Sequence, residues 1–214
     1  MVKRYLDEIN LKKTEGHRTC YVNNPRYNLL KIHNNVVRID FTHLYNLVLI
    51  QMYDEGLIPD EKVSIESIKH LLSIKEDVEE SDMYNWRYAF NTIWSKLFQR
   101  NRNDANMVCD YMHHFYQELL HKNNNEIIYI DTDCIILNEL SQDVKNLIDE
   151  LGLPYKTVDL DYFYLIAKKR YAYTDENHNI KIKGLPKKEL NRFEKLESMM
   201  RTHIREDKLV SIGL

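Results

Sequence analysis

Between positions 127 and 137 the chain reads Ile127-Ile128-Tyr129-Ile130, then Asp131-Thr132-Asp133, then Cys134-Ile135-Ile136-Leu137. Two β-branched, apolar runs around a short polar break predict a tight hairpin with acids at its tip, the clearest β signal in the sequence. Strand side chains alternate faces, so residues two apart, such as Asp131 and Asp133, can share a side or sit together at the turn. A third acid, Asp40, closes another apolar run, Val36-Val37-Arg38-Ile39-Asp40-Phe41, directly before a helical pattern. Strand-end acids of this kind are the parts needed to hold a pair of Mg²⁺ ions, because hard cations take oxygen ligands. Spacing alone does not separate that reading from ordinary turn acids, since Asp favours turns.

The pattern around these strands predicts helices. Leu44, Leu47, Val48, Ile50 and Met52 recur at near-helical spacing over His43–Glu55, and Gly56 and Pro59 stop that run. A short helix is expected over Ser64–Ile74, N-capped by Ser64. A long one follows over about 82–100, with Tyr88, Ile93, Trp94 and Leu97 on one face, and another over about 104–122, carrying Val108, Met112, Phe115, Tyr116 and Leu119. Beyond the hairpin come a helix at Ser141–Leu151 closed by Gly152, strands at about 156–169, 171–174 and 180–183, and a charged helix at Lys187–Asp207. The first 34 residues are polar and weakly periodic, with a turn at Asn23-Asn24-Pro25. This order gives an α+β fold, a mainly antiparallel sheet backed by helices.

Composition narrows the class. With 43% hydrophobic residues in 214, the chain can bury a real core. No apolar run approaches the ~20 residues that span a bilayer, and the N-terminus lacks the apolar core of a signal peptide, so no membrane partner and a cytoplasmic location (a host's, if phage-encoded) are expected. Cys20, Cys109 and Cys134 are scattered, and the nine histidines show neither HxxxH nor HExxH, which argues against a disulfide scaffold and a zinc site. The 20 Asn and 15 Tyr are what AT-rich codons give and point to a phage, a plasmid or an AT-rich bacterium. Net charge is −3, but its distribution is uneven: positions 54–82 carry ten acids and three lysines, whereas positions 165–214 carry twelve Lys/Arg and seven acids. A polyanion would sit on the C-terminal quarter.

The residues around the acids resemble family B DNA polymerases. Asp40-Phe41-Thr42-His43-Leu44-Tyr45 is similar to their D-x-x-S-L-Y motif, and Tyr129-Ile130-Asp131-Thr132-Asp133-Cys134 to Y-x-D-T-D-S. Arg87 to Leu97 resembles the fingers motif K-x-x-x-N-S-x-Y-G-K-L; Lys168-Lys169-Arg170-Tyr171 and Ile180-Lys181-Ile182-Lys183-Gly184 are similar to the K-K-R-Y and I-K-x-K-G stretches. The five occur in family order over about residues 35–186.

The resemblance implies catalytic acids Asp40, Asp131 and Asp133, with Asp40, Asp133 and the Phe41 carbonyl on Mg²⁺ (Mn²⁺ substituting). It implies that the backbone from Thr42 through His43 to Leu44 holds an incoming triphosphate at a helix start, where exposed N–H groups attract phosphate. Tyr45 would exclude a 2′-hydroxyl, Arg87 and Asn91 would clamp phosphate, and Trp94 would face the nascent base pair. Lys168, Lys169, Tyr171 and Lys183 would grip the primer strand through its phosphates. Departures from the pattern are His43 for Ser, Asn46 for Pro, Ile130 for Gly, Cys134 for Ser, Arg87 for Lys and Trp94-Ser95 for Tyr-Gly; none removes a metal ligand.

The implied organisation is an N-terminal extension (1–34), a palm in two parts (35–58 and 104–186), reduced fingers (59–103) and a thumb remnant (187–214). Only 39 residues precede Asp40, too few for an exonuclease domain. The expected function is a minimal DNA-directed DNA polymerase using a primer–template and dNTPs, with other subunits supplying thumb or exonuclease. A priming or template-independent nucleotidyltransferase and a non-catalytic palm for assembly are the alternatives.

Overall fold

The computed structural model describes residues 21–23, 31–58, 62–175, 177–184 and 190–211. The expected turn at Asn24-Pro25, the stop at Pro59 and the start of the last helix at Lys187 lie outside them. Among the described residues seven antiparallel strands form one sheet in the order β1-β3-β4-β2-β5-β6-β7. They are β1 (Tyr21–Asn23), β2 (Ile32–Phe41), β3 (Ile127–Asp131), β4 (Cys134–Leu137), β5 (Tyr155–Ala167), β6 (Arg170–Thr174) and β7 (Ile180–Lys183). The helices are α1 (Leu44–Asp54), α2 (Lys62–Ser73), α3 (Met83–Arg100), α4 (Arg102–Lys122), α5 (Gln142–Asp149) and α6 (Leu190–Ser211). The α+β architecture and the hairpin match the sequence-based expectation.

Alternation along the strands sorts the core. Ile39 and Phe41 of β2, with Ile130, Ile135 and Leu137, join the main cluster with buried residues of α1 to α5. Val36, Tyr129, Ile136, Phe163, Leu165, Tyr171 and Tyr173 make a second cluster, whereas Tyr162, Tyr164 and Ala172, their neighbours in sequence, pack with Met200 of α6. A one-residue slip of any strand would exchange these sets. At ~1.5–3 kcal/mol for each large side chain removed from the core, that fixes the register.

Several boundaries differ from expectation for identifiable reasons. Strand β2 starts at Ile32, not Val36, because Ile32, His33 and Asn34 find partners along the long strand β5. The nominally featureless N-terminal stretch contributes Tyr21–Asn23, paired with the hairpin strand β3. Helix α2 already includes Ser64, so that residue is not a cap; its hydroxyl accepts from Arg100 Nη2 at 2.8 Å. In α3 the buried face is Trp86, Phe90 and Leu97, while Tyr88 is 66% exposed. Two positions from Trp86 is about 200° around the helix, which takes Tyr88 off the core face. Ser141 caps α5 by accepting from Val144 N–H, as its position predicts. Gly56 (φ 76°) ends α1: its N–H donates to the Tyr53 carbonyl and that of Leu57 to Met52, the paired bonds of a left-handed helix stop.

Candidate active site

Asp40 lies opposite Cys134 on one side of β4, and Asp131 lies opposite the same Cys134 on the other. Directly paired residues of neighbouring strands share a face, so the two acids flank one small side chain, with backbones ~10 Å apart across two strand spacings. Asp133 follows at the tip, and its carbonyl accepts from Phe41 N–H at 2.9 Å, which ties the hairpin end to the residue after Asp40. Asp40 is thereby brought beside the hairpin acids Asp131 and Asp133, which are distant from it in sequence. Cys134 beneath them is 3% exposed, and burial pushes its thiol up to about 12, so it is a packing residue and not a nucleophile.

The turn itself is strained. Thr132 takes φ 55°, an unfavourable conformation for a β-branched residue. Its carbonyl accepts from Tyr116 Oη (3.0 Å) and Tyr45 Oη (3.3 Å), and its Oγ1 accepts from Lys169 Nζ (3.1 Å) while donating to Asp131 Oδ1 (3.0 Å). Four contacts, from α1, α4, β3 and the β5–β6 turn, thus fix where the flanking acids stand, as is common for strain at functional sites.

Two cations answer the acids. Arg38 places Nε at 2.9 Å and Nη2 at 2.7 Å from the same Asp40 oxygen, Oδ1. Lys169 Nζ is 3.5 Å from Asp131 Oδ1. Asp133 is left without such a partner in the described contacts. Its carboxyl is raised above the usual aspartate range, first by partial removal from water and then by Asp40 and Asp131, against the lowering effect of a backbone hydrogen bond and of Arg38. Because the residue keeps an exposed surface, crowding by like charge is the part of that rise a cation would relieve. Among the described residues no group of three or more His, Cys, Asp or Glu side chains is arranged so that it could hold a metal ion. The donor set nonetheless suits a hard divalent cation: oxygen ligands only, at an electrostatic deficit.

Three residues after Asp40, His43 (φ 56°) precedes α1 and sets its ring against the stacked pair Trp86 and Phe90 of α3, at 5.4 and 4.6 Å. Lys75 Nζ donates to His43 Nε2 at 3.2 Å. Burial, then Lys75, then Arg87 hold the His43 pKa below its ordinary value, so the neutral ring can accept that bond. Tyr45 packs on Trp94 at 5.3 Å, joining α1 to α3. Arg87, Asn91 and Ser95 line a shallow exposed groove along α3 with Tyr84 and Tyr88.

Some expected roles do not survive in detail. The Thr42 N–H is committed to the Pro154 carbonyl at 2.8 Å and is not free for a phosphate. Phe41 buries its ring against Tyr155, leaving only backbone for a ligand role. Lys168 and Lys169 form the β5–β6 turn and not a strand, and Lys169 (φ 57°) points its ammonium inward to Thr132. Tyr171 is buried among Tyr129, Phe163 and Tyr173, so its ring does not reach a primer. Lys168 and Lys183 are exposed.

Two residues of the site were missed in sequence. Arg38 carried a usable signal, since strand period places it on the face of Asp40. Lys75, inside an acidic stretch, carried none.

Comparison with solved structures shows the same fold. Over 86% of its length the chain superposes on a family B DNA polymerase from the hyperthermophilic archaeon Pyrobaculum calidifontis (TM-score 0.52, 16% identity), covering 32% of that chain. It superposes over 84% of its length on Phi29 DNA polymerase, solved with single-stranded DNA (TM-score 0.58, 12% identity), covering 56% of that chain. The fold is that of a DNA polymerase domain. The chain spans about a third of the archaeal enzyme and just over half of the Phi29 one. No protein-family model and no curated protein matches the sequence. Among the described residues no helix is long and apolar enough to cross a membrane.

Proposed function

We propose that this chain is the palm and reduced fingers of a minimal family B-like DNA polymerase, adding deoxynucleotides from dNTPs to a primer 3′-hydroxyl. The observation that carries this is the convergence of Asp40, Asp131 and Asp133 around Cys134. Asp40 and Asp133, with the Phe41 carbonyl, would hold Mg²⁺ or Mn²⁺, and Asp131 would support them. Bound there, a pair of such ions supplies charge neutralisation at the attacking and leaving oxygens of phosphoryl transfer. Tyr45, which packs on Trp94 and donates to the Thr132 carbonyl, would test the sugar. Lys75 and Arg87 bring positive charge toward His43 at the start of α1, where a triphosphate would lie, and Asn91 would add a donor from α3. Lys168 and Lys183 would meet primer phosphates. The proposed partners are primer–template DNA, dNTPs and further polymerase subunits.

Primer extension on defined templates with Mg²⁺ or Mn²⁺, with and without neighbouring gene products, tests the reading. Incorporation complementary to the template is expected. Sequence-independent addition would make the chain an untemplated nucleotidyltransferase. One observation favours a palm that assembles without catalysing: Arg38 already neutralises Asp40. Absence of incorporation under every condition would establish it.

Lys75 gives a narrower expectation. Lys75→Ala should raise the KM for dNTP about tenfold, the lower end of what a charge-assisted hydrogen bond supplies (~1.5 kcal/mol), with a smaller change in kcat. Steady-state kinetics at varied dNTP would show it; an unchanged KM would remove Lys75 from the nucleotide site.

A further inference from the structure

We propose that Arg38 is a built-in competitor for the divalent cation: it occupies Asp40 in the metal-free protein and has to leave that carboxylate for the cation to bind. This rests on the reading of Asp40 and Asp133 as cation ligands. The geometry is specific, because Nε and Nη2 converge on one oxygen, Oδ1, at 2.9 and 2.7 Å. A guanidinium cannot be released by losing its proton at any ordinary pH, so exchange requires the side chain to move. Burial opposes its charge, and the attraction of Asp40 outweighs that to hold its pKa above the usual arginine value.

The surroundings permit that movement. Side-chain exposures of 20% for Arg38 and 18% for Asp40 leave the pair open to exchange. The guanidinium carbon also lies 4.9 Å from the centre of the Tyr173 ring, a second attractive surface that remains when Asp40 is given up. Charge points the same way. Asp40, Asp131 and Asp133 face Arg38 and Lys169, a net of one negative charge. A divalent ion added without displacement would reverse the sign of the cluster. With Arg38 displaced toward Tyr173, the ion meets a fully anionic Asp40.

Removing the competitor should tighten cation binding. With Mn²⁺ alone as probe and free Mn²⁺ read by electron paramagnetic resonance, Arg38→Met should lower the Kd about tenfold relative to wild type. Arg38→Lys, which keeps a point charge without the fork, should fall between and carries the test if Arg38→Met does not fold. Arg38→Met should also melt lower without metal and gain more in Tm from Mn²⁺ than wild type gains, a response that a purely structural arginine would not produce. Equal or weaker Mn²⁺ affinity in the Arg38 variants, with binding lost in Asp133→Asn, would overturn the proposal while leaving the cation site standing. Failure of every form, wild type included, to bind Mn²⁺ would overturn both.

Discussion

Asp133→Asn is expected to lower nucleotide incorporation by on the order of 10³-fold or more, since removing a ligand forfeits several kcal/mol of transition-state charge stabilisation. Asn keeps the shape and hydrogen-bonding size of the turn residue, so the hairpin should persist. Stability should move the opposite way from activity. The Asp133 pKa is raised in the fold, so its stabilising contribution is present below the unfolded aspartate value and is lost as pH rises through the folded one. At neutral pH the ionised carboxylate therefore costs stability, and metal-free Asp133→Asn should melt higher than wild type. That advantage should vanish on acidification below the ordinary aspartate range. Mg²⁺ should raise the Tm of wild type and leave that of Asp133→Asn unchanged. Wild-type incorporation by this variant would sink the metal assignment, whatever its melting behaviour.

Gly184→Ala should be the most damaging change outside the acids. Gly184 has φ 75°, and a Cβ there would lie 1.7 Å from the Lys169 carbonyl oxygen and 2.8 Å from its carbon. Both obstacles are backbone, so relief requires the β5–β6 turn to shift, taking Lys169 away from Thr132 and Asp131. The left-handed conformation alone costs ~1–2 kcal/mol for a residue with a Cβ. Adding the clash brings the loss to about 3 kcal/mol or more, or a drop of about 6–12 °C in Tm for a chain of this size. Gly56→Ala is the matched control, since φ is 76° there and nothing lies within 4 Å. It should lose about a third as much. Equal losses in the two variants, measured by thermal unfolding, would show that contact with Lys169 is unimportant.

Much of the scaffold was legible because its signals are local. Strand and helix periods, the cap at Ser141 and the stop at Gly56 depend on neighbours a few residues away. Face assignments were less secure: Tyr88 looked like core until Trp86 and Phe90 met His43 and turned the helix. Tyr171 shows the same limit, since its local sequence does not reveal that Tyr129, Phe163 and Tyr173, from three strands, enclose it.

By itself the sequence determined the apolar hairpin with its acidic tip, the alternation that builds an antiparallel sheet and the order of the elements. Only the tertiary structure decided that Asp40 and Asp131 flank Cys134, that Arg38 holds Asp40, and that Lys75 and Lys169 reach His43 and Thr132. The physical reason is range. Periodicity and capping act within one turn or one strand, whereas a cluster of charges depends on strand order and on which side chains compete for the same oxygen, and neither is encoded in any single stretch of chain.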